Sequence, residues 1–150
     1  MEFDYIVVGA GSSGCVVANR LSANKNVSVA LIEAGSRDSS PWIHIPIGYF
    51  RTIKNPSVNW MYKTEEDPGL NGRSINWPRG KTLGGTSSIN GLLYVRGQQQ
   101  DYDGWAQRGN SGWSWKEVLP YFKKSENWKG PHSTNRGSSG PLTINASEST

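Results

Sequence analysis

The chain has 150 residues, a one-domain length, with 35% hydrophobic residues, 18 glycines and 7 tryptophans. Its mean hydropathy is −0.60, yet its aromatic content argues against a disordered chain. The net charge of +4 comes from 16 basic and 12 acidic residues, scattered except for the Lys123–Lys124 pair, so no basic stripe for nucleic acid is expected.

A single cysteine, Cys15, excludes an internal disulfide and favours a reducing compartment. The start, Met1-Glu2-Phe3-Asp4, lacks the basic n-region of a secretory signal. No apolar stretch approaches the roughly 18 residues that span a bilayer. A cytoplasmic protein is therefore expected, and peripheral association with the inner membrane is compatible with the sequence.

Residues 3–8 are rich in β-branched and aromatic side chains and end at Gly9, which reads as a buried strand followed by a turn. Residues 12–22 are helical in pattern, with Gly14, Val17, Ala18 and Leu21 on one face. Residues 27–32 form a second strand ending at Glu33. Strand, glycine turn, helix and strand make a βαβ unit over residues 3–33, which implies a parallel pair and an α/β, Rossmann-like fold.

Residues 36–80 contain Pro41, Pro46, Pro56, Pro68 and Pro78. This is too long for an idle loop and reads as an excursion over a ligand or an interface. It holds an extended piece at 60–63 and a helix near 47–53. A short helix is expected over 87–94 and another over 101–108. A longer one is expected over 114–128, where Ser114 and Glu117 have capping-box spacing and Pro120 is a candidate kink. Residues 130–140 form a polar, glycine-rich loop and 142–144 a strand. No terminal element is expected at Glu148-Ser149-Thr150.

The first chemical motif is Gly9-Ala10-Gly11-Ser12-Ser13-Gly14. The G-x-G-x-x-G pattern is weak alone, but here it follows a strand, opens a helix and has Glu33 at the end of the next strand. Gly9 permits the tight turn, Gly11 lets a pyrophosphate approach the backbone, and Gly14 lets helix and sheet approach closely. The free N–H groups and the dipole of the helix start hold the phosphates, with Ser12 and Ser13 beside them. Glu33 can accept from ribose hydroxyls, and its charge disfavours a 2′-phosphate, leaving NAD and FAD.

The second motif runs from Pro78-Arg79-Gly80-Lys81 through Leu83-Gly84-Gly85-Thr86-Ser87-Ser88-Ile89-Asn90-Gly91-Leu92 to Arg96-Gly97. Read from residue types, it is either a second anion-binding turn or a flexible loop joined to a helix.

The stretch from Gly80 to Asn90, together with Asp101-Tyr102-Asp103, resembles the first signature of the glucose–methanol–choline (GMC) oxidoreductases. It is closest in flavour to bacterial choline- and alcohol-dehydrogenase-like members. The resemblance extends over essentially the whole chain. It implies an amino-terminal FAD-binding domain at 1–150, with a βαβ core at 3–33, an excursion at 36–80, the signature at 80–103, a helical segment at 114–128 and no substrate domain.

The resemblance also implies FAD as cofactor, with its adenosine end on Gly9, Gly11, Gly14 and Glu33. It places Gly84, Gly85 and Thr86 near the pyrophosphate, and Asn90, Gly91 and Leu92 near the isoalloxazine ring. Ser12, Ser13, Ala34 and Arg79 complete the expected cofactor-binding set. Some members tether flavin through a histidine just before the asparagine; here that residue is Ile89, so non-covalent FAD is expected.

The family oxidises an alcohol by hydride transfer to flavin, with a histidine base in its carboxy-terminal half. The two histidines here, His44 and His132, do not match that residue, so no catalytic residue and no metal site are assigned. The expected partner is a small-molecule alcohol in the full-length protein, with the electron acceptor left open. The rival readings are an NAD-dependent dehydrogenase domain and a non-catalytic, truncated flavin-binding fragment.

Overall fold

A computed structural model describes residues 2–146; the expectation for Glu148-Ser149-Thr150 lies outside them. The chain divides into two compact units, Met1–Leu93 and Tyr94–Thr150.

The first unit opens with β1 (Tyr5–Val8), α1 (Ser12–Leu21) and β2 (Val29–Ile32). The strands pair in parallel, Tyr5 opposite Val29 and Val8 opposite Ile32. Their starts are clamped by Asp4, whose carboxylate accepts from the Ser28 N–H at 2.8 Å and the Ser28 hydroxyl at 2.7 Å. Those two bonds, the backbone one foremost, hold the Asp4 carboxyl below its ordinary range. At the other end the Gly9 N–H continues the ladder to Ile32 O at 2.7 Å, and a φ of 92° at Gly9 then turns the chain out of the strand.

The βαβ order is as expected, but β1 is not a buried strand. Ile6 is 61% and Val8 82% exposed, because among the described residues β1 and β2 form a sheet of two strands, on which α1 packs. On α1, Gly14, Ala18 and Leu21 are half-buried, whereas Val17 is exposed.

The excursion consists of short pieces. Single 3₁₀ turns at Pro41–Ile43 and Pro46–Gly48 lead into α2 (Tyr49–Thr52). A small antiparallel hairpin follows, β3 (Tyr62–Lys63) with β4 (Asn76–Trp77). The second motif holds one more 3₁₀ turn, Gly85–Ser88. The helix expected over 87–94 does not form. The Ser87 hydroxyl donates to Gly84 O at 2.6 Å and the Ser88 hydroxyl to Leu83 O at 2.7 Å, local bonds that compete with a helix. Leu92 then takes a left-handed φ of 61°.

The second unit carries α3 (Gln99–Gln107) and α4 (Trp115–Ser125). The Glu117 carboxylate accepts from the Ser114 N–H at 3.1 Å and the Ser114 hydroxyl at 2.6 Å, fixing the start of α4. Tyr102 on α3 meets Phe122 on α4 edge-on, with ring centroids 5.7 Å apart.

The helix expected over 114–128 stops at Ser125, because the chain continues as β5 (Glu126–Trp128), parallel to β6 (Leu142–Ile144). Glu126 is fully buried, paired with Arg96 and with Arg136 at 2.6 Å, and it accepts from the Gly137 N–H at 3.0 Å.

Buried side chains are few among the described residues, and half of those named are polar: Thr52, Asn59, Thr82 and Glu126 beside Ala10, Val58, Ile89 and Ile144. Each buried polar group must find partners inside the fold, so these positions fix geometry more sharply than an apolar core would.

Candidate cofactor site

The site lies in the first unit, where three stretches of backbone converge. The first is the glycine turn between β1 and α1. Gly11 precedes α1 in an extended conformation, and no side chain caps the helix start. The first helical bond is Cys15 N–H to Gly11 O at 2.9 Å, so the N–H groups of Ser12, Ser13 and Gly14 have no intrahelical acceptor. No acidic residue stands in that first turn, so the helix's own side chains do not offset the positive end of its dipole.

A side chain on Gly11 would project into space with nothing within 4 Å, whereas a Cβ on Gly14 would fall 1.9 Å from Gly9 O. The first fits a position where a ligand approaches backbone; the second shows α1 seated directly on the turn. The Cys15 thiol is exposed rather than packed on the sheet and donates to Ala10 O at 3.2 Å.

The second stretch follows β2. Glu33 bridges the two strand ends: Oε2 accepts from the Ala10 N–H at 2.7 Å and Oε1 from the Gly35 N–H at 2.9 Å. Each carboxylate oxygen keeps a further acceptor site, so the half-buried group can hold the turn and still receive a hydroxyl. Ala34, next to it, is exposed.

The third stretch is the second motif. The Gly84 N–H donates to Ala10 O at 2.8 Å. Gly85, at a φ of 57°, lies so near Gly11 that a Cβ there would be 2.8 Å from Gly11 Cα. The fully buried Thr82 donates its hydroxyl to Ser36 O at 2.9 Å, and the Leu83 N–H bonds the same carbonyl at 3.0 Å. Thr86 Oγ1 accepts from the Gly80 N–H at 3.2 Å. The structure thus brings Gly9, Gly11, Gly14, Glu33, Gly84 and Gly85 into one backbone cradle, with Thr86 one bond behind it.

Asn90, Gly91 and Leu92 are exposed, and Asn90 Oδ1 accepts from the Leu92 N–H at 3.0 Å. The Arg79 guanidinium lies over the Trp77 ring, 5.1 Å from its centroid, and donates to Pro78 O at 2.9 Å. His44 Nε2 lies 2.6 Å from Asp38 O, and His132 is exposed.

Sequence reasoning missed Gly35, Thr82 and Asn59. Gly35 could have been found: it follows the strand-end glutamate, and a Cβ there would be 2.0 Å from the Lys81 carbonyl. Thr82 and Asn59 were not found because the bonds that tie them to the site, to Ser36 O and from the Arg79 N–H, span 46 and 20 residues of sequence.

Comparison with known proteins places the chain in a family and a fold. The family model described as GMC oxidoreductase matches residues 3–150. An alcohol dehydrogenase (acceptor) of Pseudomonas putida is 48% identical over 143 residues, covering 95% of this chain and 26% of its own length. An oxygen-dependent choline dehydrogenase of Photobacterium profundum is 46% identical, covering 93% and 25%.

Among solved structures, pyridoxine 4-oxidase from Mesorbium loti superposes with a TM-score of 0.87 at 35% identity, covering 95% of this chain and 28% of that one. A formate oxidase of Aspergillus oryzae RIB40 gives 0.85 at 34%, covering 99% and 27%. The chain spans about a quarter of the length of the curated relatives it matches. Among the described residues no helix is long and apolar enough to cross a membrane.

Proposed function

This chain belongs to the GMC oxidoreductase family, and on that premise we propose that it is the FAD-binding portion of a flavin-dependent oxidoreductase acting on the CH–OH group of a small-molecule alcohol. The observation that carries the reading is the backbone cradle where Gly84 and Gly85 meet Ala10 and Gly11 at the uncapped start of α1. A diphosphate needs N–H donors, positive potential and no Cβ in the way; all three coincide there.

In this proposal the N–H groups of Gly11, Ser12, Ser13 and Gly14 hold the diphosphate, and the Ser12 and Ser13 hydroxyls supplement them. Glu33 accepts from a ribose hydroxyl while keeping its bonds to Ala10 and Gly35; Gly9 and Ala34 border that end. Gly84, Gly85 and Thr86, which adjoin the Ala10–Gly11 turn, would also border the diphosphate, and Arg79 would add positive charge nearby. Asn90, held against Leu92, sets the backbone of Gly91 and Leu92 for the flavin ring. Bound FAD supplies the acceptor for the hydride that leaves the alcohol carbon.

The cofactor is proposed to be non-covalent, because the residue before Asn90 is Ile89, an aliphatic side chain only 1% exposed. Neither His44 nor His132 is proposed as the base, so residues 1–150 alone are proposed to bind flavin without oxidising alcohol. The names of the relatives support the substrate class: alcohol, choline and pyridoxine each carry a hydroxyl.

The test is a visible absorption spectrum of the complete polypeptide that carries this sequence, purified with FAD, beside its Gly11→Val variant. A flavin band in the parent that disappears in the variant supports the proposal. No band in soluble, folded parent overturns it. Flavin that stays on the polypeptide after acid denaturation overturns the non-covalent part.

A further inference from the structure

We propose that Asn59, outside both glycine motifs, is a positioning residue for the cofactor cradle. The inference rests on the FAD reading above and adds to it a residue from the excursion.

Asn59 is only 2% exposed, and both its amide nitrogen and its amide oxygen are hydrogen-bonded. Nδ2 donates to Ile53 O at 2.6 Å, next to the end of α2. Oδ1 accepts from the Met61 N–H and the Arg79 N–H, each at 3.0 Å. One side chain therefore ties together three stretches of the excursion. It also helps hold Met61 at a left-handed φ of 57°, a conformation that a non-glycine residue keeps only when its surroundings impose it.

The Arg79 end of this tie leads to the cradle mainly through backbone contacts. Residues 58–60 run beside 79–81, with Trp60 N–H to Arg79 O at 2.9 Å and Lys81 N–H to Val58 O at 2.8 Å. Gly80, between those bonds, touches the second turn: a Cβ on it would lie 2.0 Å from Gly85 O, and its N–H bonds Thr86 Oγ1. Gly85 in turn abuts Gly11. The order of contact is Asn59, Arg79–Gly80, Gly85–Thr86, Gly11, with no gap. A shift of residues 79–80 has no slack in which to dissipate before it reaches the proposed diphosphate site, because close-packed backbone transmits displacement.

The experiment uses the complete polypeptide with FAD. Asn59→Asp keeps the shape but replaces the donor to Ile53 O with a buried acceptor; Asn59→Ser keeps a small polar group, and either folded variant suffices. Thr64→Val is the control, removing the acceptor of the Ile75 N–H (2.9 Å) in the same excursion but outside the chain of contacts. The expected result is FAD binding weakened by about tenfold or more, equivalent to ~1.4 kcal/mol, with altered visible circular dichroism of the bound flavin at saturation. Thr64→Val should lower the melting temperature and leave both flavin measurements unchanged. Position 59 variants that melt early yet bind FAD with parental affinity and dichroism would overturn the inference and leave the cofactor reading standing. Failure of the unaltered protein to bind FAD would overturn both.

Discussion

Gly85 stands against Gly11 with no room for a methyl group between them: a Cβ on Gly85 would lie 2.8 Å from Gly11 Cα. Two turns more than seventy residues apart in sequence meet there through main chain, beside the Gly84 N–H bond to Ala10 O. Gly85→Ala adds an atom at that contact and forces alanine into a left-handed φ, which itself costs about 1–2 kcal/mol. The expected outcome is FAD affinity reduced by about tenfold or more, read by titrating apoprotein with FAD and following flavin fluorescence.

Glu33→Gln should damage the apoprotein as well as cofactor binding. The carboxylate accepts two backbone N–H groups, from Ala10 and Gly35, and an amide has only one oxygen for them. A part-buried N–H left without a partner costs about 1–3 kcal/mol. Thermal melts without FAD should show the loss. A variant that melts like the parent but binds FAD poorly would mean that Glu33 serves the ligand alone.

The second unit should be acid-sensitive at Glu126. Burial pushes its carboxyl up, but the Gly137 N–H and the Arg136 and Arg96 guanidinium groups outweigh burial and hold it below its ordinary range. A folded-state value below the unfolded one stabilises the fold above the ordinary carboxylate range; that contribution is lost as pH falls through the folded value. Denaturant unfolding followed between about pH 7 and pH 3 should show this acid limb. Glu126→Gln should flatten it and, by leaving Arg96 and Arg136 without their shared anion, cost about 3–5 kcal/mol at neutral pH.

Gly104→Ala should stabilise. Gly104 lies inside α3, and a Cβ there would meet nothing within 4 Å. Alanine restricts the unfolded chain at a site where glycine is unneeded, worth about 0.5–1 kcal/mol. A raised melting temperature with unchanged FAD affinity would check it.

The sequence made the βαβ unit legible because its signals are local and agree: a β-branched run, a glycine turn and a helical period. The two glycine motifs were recognisable separately, but their meeting was not, since Gly11 and Gly85 touch only after the excursion has folded. The helix expected over 87–94 failed where the Ser87 and Ser88 hydroxyls bond to the backbone just before them. The helix expected to 128 ended early because Glu126 answers to Arg96 and Arg136, and β5 to a strand at 142–144. Helical periodicity carries no record of such distant partners. Asn59 was missed in part for the same reason: Ile53 and Met61 are near it in sequence, but nothing around it announces that Arg79, twenty residues on, will share its amide.

That the two turns meet as bare main chain makes the cradle asymmetric toward mutation. Glycine has nothing left to remove, so positions 80 and 85 can change only by gaining atoms. If the cradle holds FAD as proposed, selection for tighter or looser binding has little freedom at the contact itself. Variation that tunes it must work from the layer behind, where Asn59, Thr82 and Glu33 hold the main chain beside the glycines, at Arg79, Ser36 and Ala10, by side chains that can be lengthened, shortened or recharged.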